Sequence, residues 1–231
     1  MPELPEVTTT VNGLQKVLPG LSFTDAWTDL AKRNQTIKQF RNSIKNETFY
    51  KKFKKLIIGE KVINVERRAK NILIDISGDH TILIHLKMTG HLLVGKYIFD
   101  KKLNGWTPRG DEKSSLFDPY NRFVHVVFSL SNGKHLVMSD ARKFGKVTIM
   151  KTDEIKDSVH LKGTGPEPLD KSFTFENFKK RIMSKPNSKI KTILMNQSII
   201  AGIGNIYSDE ILWEAKIHPL RRAESLNQRR I

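Results

Sequence analysis

The sequence contains no cysteine among its 231 residues. That absence excludes disulfides, thiolate-bound zinc, iron–sulfur clusters and thiol nucleophiles. No apolar run approaches the roughly 18 residues that a membrane-spanning helix needs, and the N-terminus has no secretory apolar stretch. Acidic residues are also scarce, with 24 Asp and Glu against 40 Lys and Arg, for a formal net charge of +16. We therefore expect a globular, cytoplasmic protein of one or two domains that does not associate with membranes.

The positive charge is concentrated in two runs. Residues 51–70 contain six Lys and two Arg against two Glu, and residues 179–191 contain five Lys and one Arg with no acidic residue. A single lysine-rich run is often only a solvated face. Two such runs in different parts of the chain favour a polyanionic ligand, above all nucleic acid, because neutralised phosphates release counterions. Charge alone does not separate DNA from RNA, or an enzyme from an architectural protein.

The hydrophobic pattern predicts one helix, then a β-rich body. The apolar residues of the N-terminal segment repeat at the helical period; they are Leu4, Val7, Val11, Leu14 and Leu18. Hairpin turn sequences at 77–79 and 131–133 separate apolar runs that favour strands. The expected strands are 62–65, 71–76, 81–86, 124–130, 135–138 and 146–150. Residues 97–120 mix Gly, Pro and charge, so we expect a long loop there.

The last third of the sequence predicts helices. Gly163–Pro168 is the expected linker, placed within residues 161–171. Thr174 is a candidate N-cap for a helix with Phe175, Phe178 and Ile182 on one face. Further helices are expected at 189–197 and 205–216. The chain therefore divides into a first domain of residues 1–160 and a helical domain of residues 172–231.

The N-terminal Met-Pro-Glu offers unusual chemistry. If Met1 is removed, Pro2 exposes a secondary amine, and an α-amino group titrates near ~8, against ~10.4 for a lysine, so more of it is neutral at pH 7. Such an amine can attack an aldehyde-level carbon to form an iminium ion, which serves as an electron sink. Glu3 is adjacent and Glu6 follows on the same helix face, so either could move a proton. The simpler alternative is that Pro2 and Pro5 only begin a helix whose acidic residues complement its dipole.

MPELPEV closely resembles the opening of the formamidopyrimidine-DNA glycosylase / endonuclease VIII family of base-excision-repair enzymes, and Leu4 is typical of the formamidopyrimidine branch. Five further family motifs follow in order, and the resemblance covers essentially the whole chain. They are Arg67–Lys70, His85–Gly90, Asp140–Gly145, Gly165–Pro168 and Ala201–Tyr207.

The resemblance implies roles for individual residues. Pro2 would attack the anomeric carbon of a damaged nucleotide, and Glu3 would donate the proton for base release, with Glu6 beside it. Lys70 would contact phosphate and assist β-elimination, although it could also be one more residue of the basic run. Further residues would form a wedge that fills the gap left by the flipped base; they are Met88, Arg142 and Phe144, although Met88 and Phe144 could instead be ordinary core residues.

The resemblance also implies contacts to DNA outside the wedge. Gly202 and Gly204 would let the backbone approach a phosphate, and Asn205 would open a helix whose N–H groups bind that anion. Further DNA-binding candidates are Lys143, beside the wedge residues, His125, near the position of a family histidine that is Phe123 here, and Lys185 and Lys189, which flank Asn187 at the position of a family lysine.

The sequence departs from the family pattern in one large respect. The family usually ends in a zinc finger with four cysteines, whereas this chain has none, so we expect a chain truncated before the finger and no bound cofactor. The other histidines show no spacing typical of metal ligands. The 97–120 segment is also longer than in typical members.

These observations combine into one expectation. The fold class is α+β: an N-terminal helix and two-sheet β-sandwich domain, followed by a helical domain with a helix–two-turn–helix element. The implied activity is a bifunctional DNA glycosylase/AP lyase that removes 8-oxoguanine and formamidopyrimidines from double-stranded DNA, as a monomer in a bacterial-type cytoplasm. The alternatives are a damaged-DNA-binding protein that has lost turnover with the finger, or that retains only lyase activity, and a general RNA-binding protein, which the charge permits but the motifs do not support.

Overall fold

The computed structural model describes residues 1–33, 35 and 37–226. The chain forms two compact units. Of the described residues, the first unit contains those within 1–2, 7–67 and 71–155, and the second contains those within 3–6, 68–70 and 156–226. Among the described residues, no helix has the length and apolar character needed to cross a membrane.

Two helices pack on the sheets of the first unit. Helix α1 spans Leu4–Gln15, as its apolar period predicts, and buries Val7, Val11 and Leu14. Helix α2 spans Glu47–Ile57 and begins at Asn46, whose side chain accepts a hydrogen bond from the Phe49 N–H. The sequence of this stretch predicts basic charge but no helix, because four lysines interrupt the apolar residues that face the core.

The body of the first unit consists of two antiparallel four-stranded sheets. One has the order β1-β8-β9-β5, and the other has the order β10-β4-β3-β2. Apolar residues from both sheets and from the two helices form one core. The strands are β1 (Phe23–Thr28), β2 (Val62–Arg68), β3 (Asn71–Ile76), β4 (His80–His85), β5 (His91–Gly95), β8 (Val124–Leu130), β9 (His135–Ser139) and β10 (Lys146–Lys151).

The segment predicted as a long loop is instead largely ordered, so that expectation is wrong. Strands β6 (Tyr97–Asp100) and β7 (Gly105–Pro108) pair antiparallel as a hairpin. The Trp106 ring lies 5.7 Å from Phe99 and 6.4 Å from Trp27, between ring centroids. Aromatic burial therefore stabilises a hairpin that the local Gly, Pro and charge content obscured. Two 3-10 turns, Ser114–Phe117 and Pro119–Arg122, follow it.

The second unit is mainly helical, with α3 (Phe175–Met183), α4 (Ile190–Leu194) and α5 (Asn205–Glu214). Thr174 caps α3 as predicted, by accepting a hydrogen bond from the Asn177 N–H. Helix α4 ends earlier than predicted, and the Gln197 amide bonds the backbone of Gly202 and Ile203. The predicted α+β class, with helix, antiparallel sheets and helical part in that order, is confirmed. The expectation for residues 227–231 lies outside the described residues.

Candidate active site

The Glu3 carboxylate lies at the N-terminus of α5 and is fully buried. Its Oε2 accepts hydrogen bonds from the N–H groups of Gly204 (2.7 Å) and Tyr207 (3.2 Å), and its Oε1 accepts one from Ile206 (2.9 Å). A helix N-terminus binds anions through such free N–H groups. The sequence motif predicts a DNA phosphate at this N-terminus. That assignment needs correction, because these N–H groups hold the protein's own carboxylate.

The glycines before α5 make this contact possible. A Cβ on Gly204 would lie 2.5 Å from the Glu3 carboxyl carbon and 2.7 Å from the Lys70 Nζ. Gly202 has a φ of 87°, and its carbonyl accepts a hydrogen bond from the Leu4 N–H at 3.1 Å. The glycines therefore allow close approach, as the sequence suggested, but they approach Glu3, Leu4 and Lys70.

Glu6 holds the backbone of Glu3 in place. Its Oε2 accepts a hydrogen bond from the Glu3 N–H at 2.8 Å, and its Oε1 accepts one from the Tyr207 hydroxyl at 3.0 Å. The first contact is the backbone half of a capping box. Burial acts to raise the pKa of Glu6, but these hydrogen bonds outweigh it and leave the pKa below its usual value. The geometry therefore makes Glu6 a positioning residue for Glu3, whereas the sequence predicted it to be a catalytic residue.

Lys70 is the buried cation beside these two acids, with only 8% of its surface exposed. Burial lowers the pKa of Lys70, while the charges of Glu3 and Glu6 act in the opposite direction without cancelling it. A lysine in this setting releases its proton more readily than a surface lysine. The site thus joins a buried carboxylate to a lysine that is suited to proton transfer.

A clamp around Glu167 holds the backbone just before Lys70. The Glu167 Oε1 accepts hydrogen bonds from the Arg68 Nη1 and from the Ala69 N–H, both at 2.7 Å. Ala69 has a φ of 53°, in the left-handed region that non-glycine residues seldom adopt. The Arg68 Nη2 also donates to the carbonyls of Thr164 (3.0 Å) and Gly165 (2.7 Å). The motif predicted as a linker therefore makes specific contacts within the second unit, and sequence reasoning missed both Arg68 and Glu167 as supports of the site.

Pro2 immediately precedes Glu3 in the chain and is half-buried. Its nitrogen is one residue from the carboxylate that the helix holds. Glu3, Glu6 and Lys70, predicted from the sequence as one set, are thus brought together by hydrogen bonds and charge within the second unit.

The predicted wedge residues form a second cluster, within the first unit. The Arg142 guanidinium lies 4.7 Å from the centre of the Phe144 ring, and its Nη1 is 3.0 Å from the Met88 Sδ. Met88 is 43% exposed and Phe144 46%, which removes the alternative that they are ordinary core residues. A flexible thioether, a cation and a ring therefore share one solvent-facing surface.

Two turns present these side chains. Lys87 and Lys143, each beside a wedge residue, have φ values of 58° and 57°. The buried Asp140 carboxylate accepts hydrogen bonds from the Thr89 hydroxyl and from the N–H groups of Arg142 (3.2 Å) and Gly145 (2.7 Å). Asp140 therefore joins the turn with Met88 to the turn with Arg142 and Phe144.

The remaining DNA-binding candidates differ in accessibility. Lys143, Lys185, Lys189 and Asn205 are exposed. His125 is buried on β8, and its Nδ1 lies 2.9 Å from the Asp29 carboxylate. The structure thus places His125 against Asp29, and its contact with DNA stays a prediction.

The zinc site that the family resemblance implies does not fit the residues of this chain. The sequence has no cysteine to supply the four thiolates. Within residues 1–33, 35 and 37–226, no group of three or more His, Asp or Glu side chains is arranged to hold a metal ion.

Comparison with known proteins agrees with this geometry. Residues 1–147 match the model described as the formamidopyrimidine-DNA glycosylase N-terminal domain, and residues 164–231 match the formamidopyrimidine-DNA glycosylase H2TH domain. The fold and the site define a DNA glycosylase of base-excision repair. The chain belongs to the formamidopyrimidine-DNA glycosylase family, which confirms the family predicted from the motifs.

Individual relatives show how far the similarity extends. The formamidopyrimidine-DNA glycosylase of Desulforamulus reducens is 38% identical over 233 residues, covering 99% of this chain and 72% of that protein. That of Herpetosiphon aurantiacus is 38% identical over 231 residues, covering 100% of this chain and 73% of that protein.

Solved structures agree with the fold. The Lactococcus lactis Fpg bound to DNA with an abasic site has a TM-score of 0.77 and 28% identity, over 99% of this chain and 72% of that one. MutM bound to DNA containing carbocyclic 8-oxo-G has the same TM-score and 30% identity, over 99% of this chain and 74% of that one.

Proposed function

We propose that this protein is a bifunctional DNA glycosylase/AP lyase that removes oxidised purines, such as 8-oxoguanine and formamidopyrimidines, from double-stranded DNA. One observation carries the proposal: the buried Glu3 carboxylate, fixed by three backbone N–H groups beside Lys70, directly follows Pro2. The similar solved structures hold abasic-site, N7-benzyl-Fapy-dG and carbocyclic 8-oxo-G DNA, which supports this class of substrate.

Pro2 is the proposed nucleophile, once Met1 has been removed. Its neutral nitrogen bonds to C1′ of the damaged nucleotide, and the electron pair of the glycosidic bond leaves with the base, which takes up a proton. The nitrogen then loses its own proton as the sugar ring opens and the ring oxygen leaves C1′ as a hydroxyl. The product is an iminium ion, whose positive charge makes the C2′ proton acidic.

Glu3 and Lys70 divide the proton transfers in this proposal. Glu3 lies next to the amine in the chain. In its protonated form it donates the proton that glycosidic cleavage requires, and as a carboxylate it then takes up the proton that the Pro2 nitrogen loses. Lys70 contacts a DNA phosphate and assists β-elimination, in which the C2′ proton is removed and the 3′ phosphate leaves. The lowered pKa of Lys70, caused by its burial, supports this role, because the amine gives up its proton more readily than that of a surface lysine.

The exposed cluster of Met88, Arg142 and Phe144 completes the proposal. A base that rotates out of the duplex costs a few kcal/mol in lost stacking, which inserted side chains partly offset. Phe144 and Met88 provide apolar surface for the gap, and Arg142 provides hydrogen-bond donors for the unpaired base. The basic surface, including Lys143, Lys185 and Lys189, binds the phosphate backbone, and the helical region from residue 172 serves as a DNA-binding domain.

Borohydride trapping tests this function. Two duplexes are required, one with 8-oxoguanine opposite cytosine and one with an abasic site, because reduction of the iminium ion leaves a stable covalent complex. Intact mass measurement establishes whether Met1 is absent, and Pro2→Gly is the control variant. We expect a covalent complex on both duplexes.

The other outcomes separate the rival functions. Trapping on the abasic duplex alone would indicate a lyase without base excision. Binding to both duplexes with no trapping, in protein that lacks Met1, would contradict the enzyme and indicate a damaged-DNA-binding protein.

A further inference from the structure

The turn that carries Arg142 and Phe144 is held from one side by Asp140. Its carboxylate binds N–H groups of that turn, and the Lys143 N–H donates to the Asp140 carbonyl at 3.0 Å. The carbonyl of Lys143, at the residue with φ of 57°, points to a different partner. That carbonyl accepts a hydrogen bond from the Lys45 Nζ at 2.6 Å.

The backbone around Lys45 is fixed before its side chain reaches this turn. The Ile44 N–H donates to the Val147 carbonyl of β10 at 3.1 Å, and Ile44 is 1% exposed. The Thr148 hydroxyl donates to the Asn42 carbonyl at 2.7 Å. Lys45 therefore extends from a segment that is attached to β10, the strand that directly follows the turn it contacts.

The Lys45 ammonium lies in a closed environment. Only 5% of the residue is exposed, and the Nζ lies 4.1 Å from the centre of the Phe40 ring. Burying a lysine charge is unfavourable unless the group is paired. The Lys143 carbonyl, the Phe40 ring and the nearby Asp140 charge provide that pairing.

We propose that Lys45 is a positioning residue for the wedge: its buried ammonium fixes the Lys143 peptide and thereby the directions of the Arg142 and Phe144 side chains. A non-glycine residue held at positive φ is strained and keeps that conformation only where the surrounding structure determines it. A charge-assisted hydrogen bond to the carbonyl favours one orientation. Arg142 and Phe144 flank that peptide, so its orientation determines whether the guanidinium stays over the ring.

The charges around Lys45 support this assignment. Burial lowers the pKa of Lys45 to about 8, Asp140 acts to raise it, and Lys87 and Lys146 act to lower it further. A charged lysine that is buried next to two other lysines lowers the stability of the fold. Packing alone would favour an apolar side chain at this position. A role in positioning the exposed wedge accounts for the presence of Lys45.

Fluorescence of a DNA base tests the inference, which rests on the wedge of the proposed function. The probe is a duplex with a tetrahydrofuran abasic analogue and 2-aminopurine stacked next to it, so that wedge insertion raises the emission without any bond cleavage. At saturating protein, Lys45→Met is expected to lose about half or more of the rise, because displacement of about 1 Å misplaces a functional group. Phe144→Ala should lose the rise, and Lys134→Met, which removes an exposed charge in the turn between β8 and β9, should keep it.

The outcomes distinguish the inference from the function it rests on. A folded Lys45→Met variant that keeps the full emission rise, while Phe144→Ala loses it, would overturn the role of Lys45 alone. Wild-type protein that gives the rise but no borohydride trapping would overturn the proposed catalysis and leave Lys45 supported. An emission rise that survives in Phe144→Ala would overturn the wedge, and with it the inference.

A second comparison decides the matter if Lys45→Met does not fold. In Lys45→Arg the side chain keeps a donor and stays charged at every pH of the experiment. The wild-type emission rise should decline as pH increases through about 8, where Lys45 loses its proton, and the Lys45→Arg rise should stay constant. Identical pH profiles for the two proteins would overturn the proposal.

Discussion

The site formed by Glu3 and Lys70 and the exposed wedge place opposite demands on their side chains. Glu3 and Lys70 are buried, and backbone N–H groups and a carboxylate clamp hold them. Met88, Arg142 and Phe144 are exposed on turns that contain left-handed residues. Proton transfer requires groups at fixed distances, whereas a wedge must remain free to enter the duplex. Substitutions in the first region should therefore affect both stability and chemistry, and substitutions in the second should affect base excision alone.

Glu3→Gln should give the largest effect. The amide removes the acidic group and turns an NH₂ towards backbone N–H groups, so excision of 8-oxoguanine should fall by about 10²–10⁴-fold. The free energy of unfolding should also fall, by about 1–3 kcal/mol, because buried donors lose their acceptor. Single-turnover excision and urea denaturation measure the two effects.

Glu66→Gln is the matched control, since Glu66 is exposed. Full stability in Glu3→Gln together with lost excision would show that the three N–H contacts contribute little to the fold, which would weaken the comparison between the two regions.

Gly204→Ala should have the next largest effect. The added Cβ would lie within 2.7 Å of both the Glu3 carboxyl group and the Lys70 Nζ, so the two must separate. A shift of about 1 Å in such a site can reduce the rate by about 10²-fold. Excision and trapping should both decline. Gly13→Ala is the control, because a Cβ there meets nothing within 4 Å and the position is helical. Equal activity in the two variants would contradict the placement of Glu3 at α5.

Phe144→Ala tests the other region. Because the ring is 46% exposed, the melting temperature should stay within about 2 °C of wild type. Excision of 8-oxoguanine should fall by about 10-fold, since the wedge offsets part of the flipping cost, and trapping on an abasic site should fall less. A loss of stability comparable to that of Glu3→Gln would remove the distinction between the two regions.

The last effect concerns the pH dependence of stability. The pKa of Lys45 is about 8 in the folded protein and 10.5 in the unfolded chain. Between these values the unfolded state holds more protons, so the contribution of Lys45 to stability rises with pH. The unfolding free energy of wild type minus that of Lys45→Met should therefore increase from pH 8 to 10. A difference that stays constant or decreases would contradict the burial of the charged group.

Local patterns predicted much of the fold. The helical period of residues 4–18 and the hairpin turns at 77–79 and 131–133 correspond to α1 and to two observed strand pairs. Helix α2 was missed because its lysines masked the buried Phe53 and Ile57. The hairpin of β6 and β7 was missed because its stability depends on Trp27, about 80 residues away along the chain.

The sequence predicted residues of the site only where they belong to a recognisable motif. Motif order brought Pro2, Glu3 and Lys70 into one hypothesis. It did not show that Glu3 binds the N-terminus of α5, because that pairing spans about 200 residues. The burial of His125 could not be predicted for a similar reason, since its partner Asp29 lies on a distant segment. Lys45 belongs to no motif, and only its contact with Lys143 in the structure indicates a role for it.

Identification of the trapped residue decides whether Pro2 is the nucleophile. After borohydride reduction on an abasic duplex, the complex can be digested and the peptide that carries the nucleotide sequenced by mass spectrometry. We expect a DNA adduct on the nitrogen of Pro2, in a peptide that lacks Met1. An adduct on the Lys70 side chain, or on any other lysine, would contradict it.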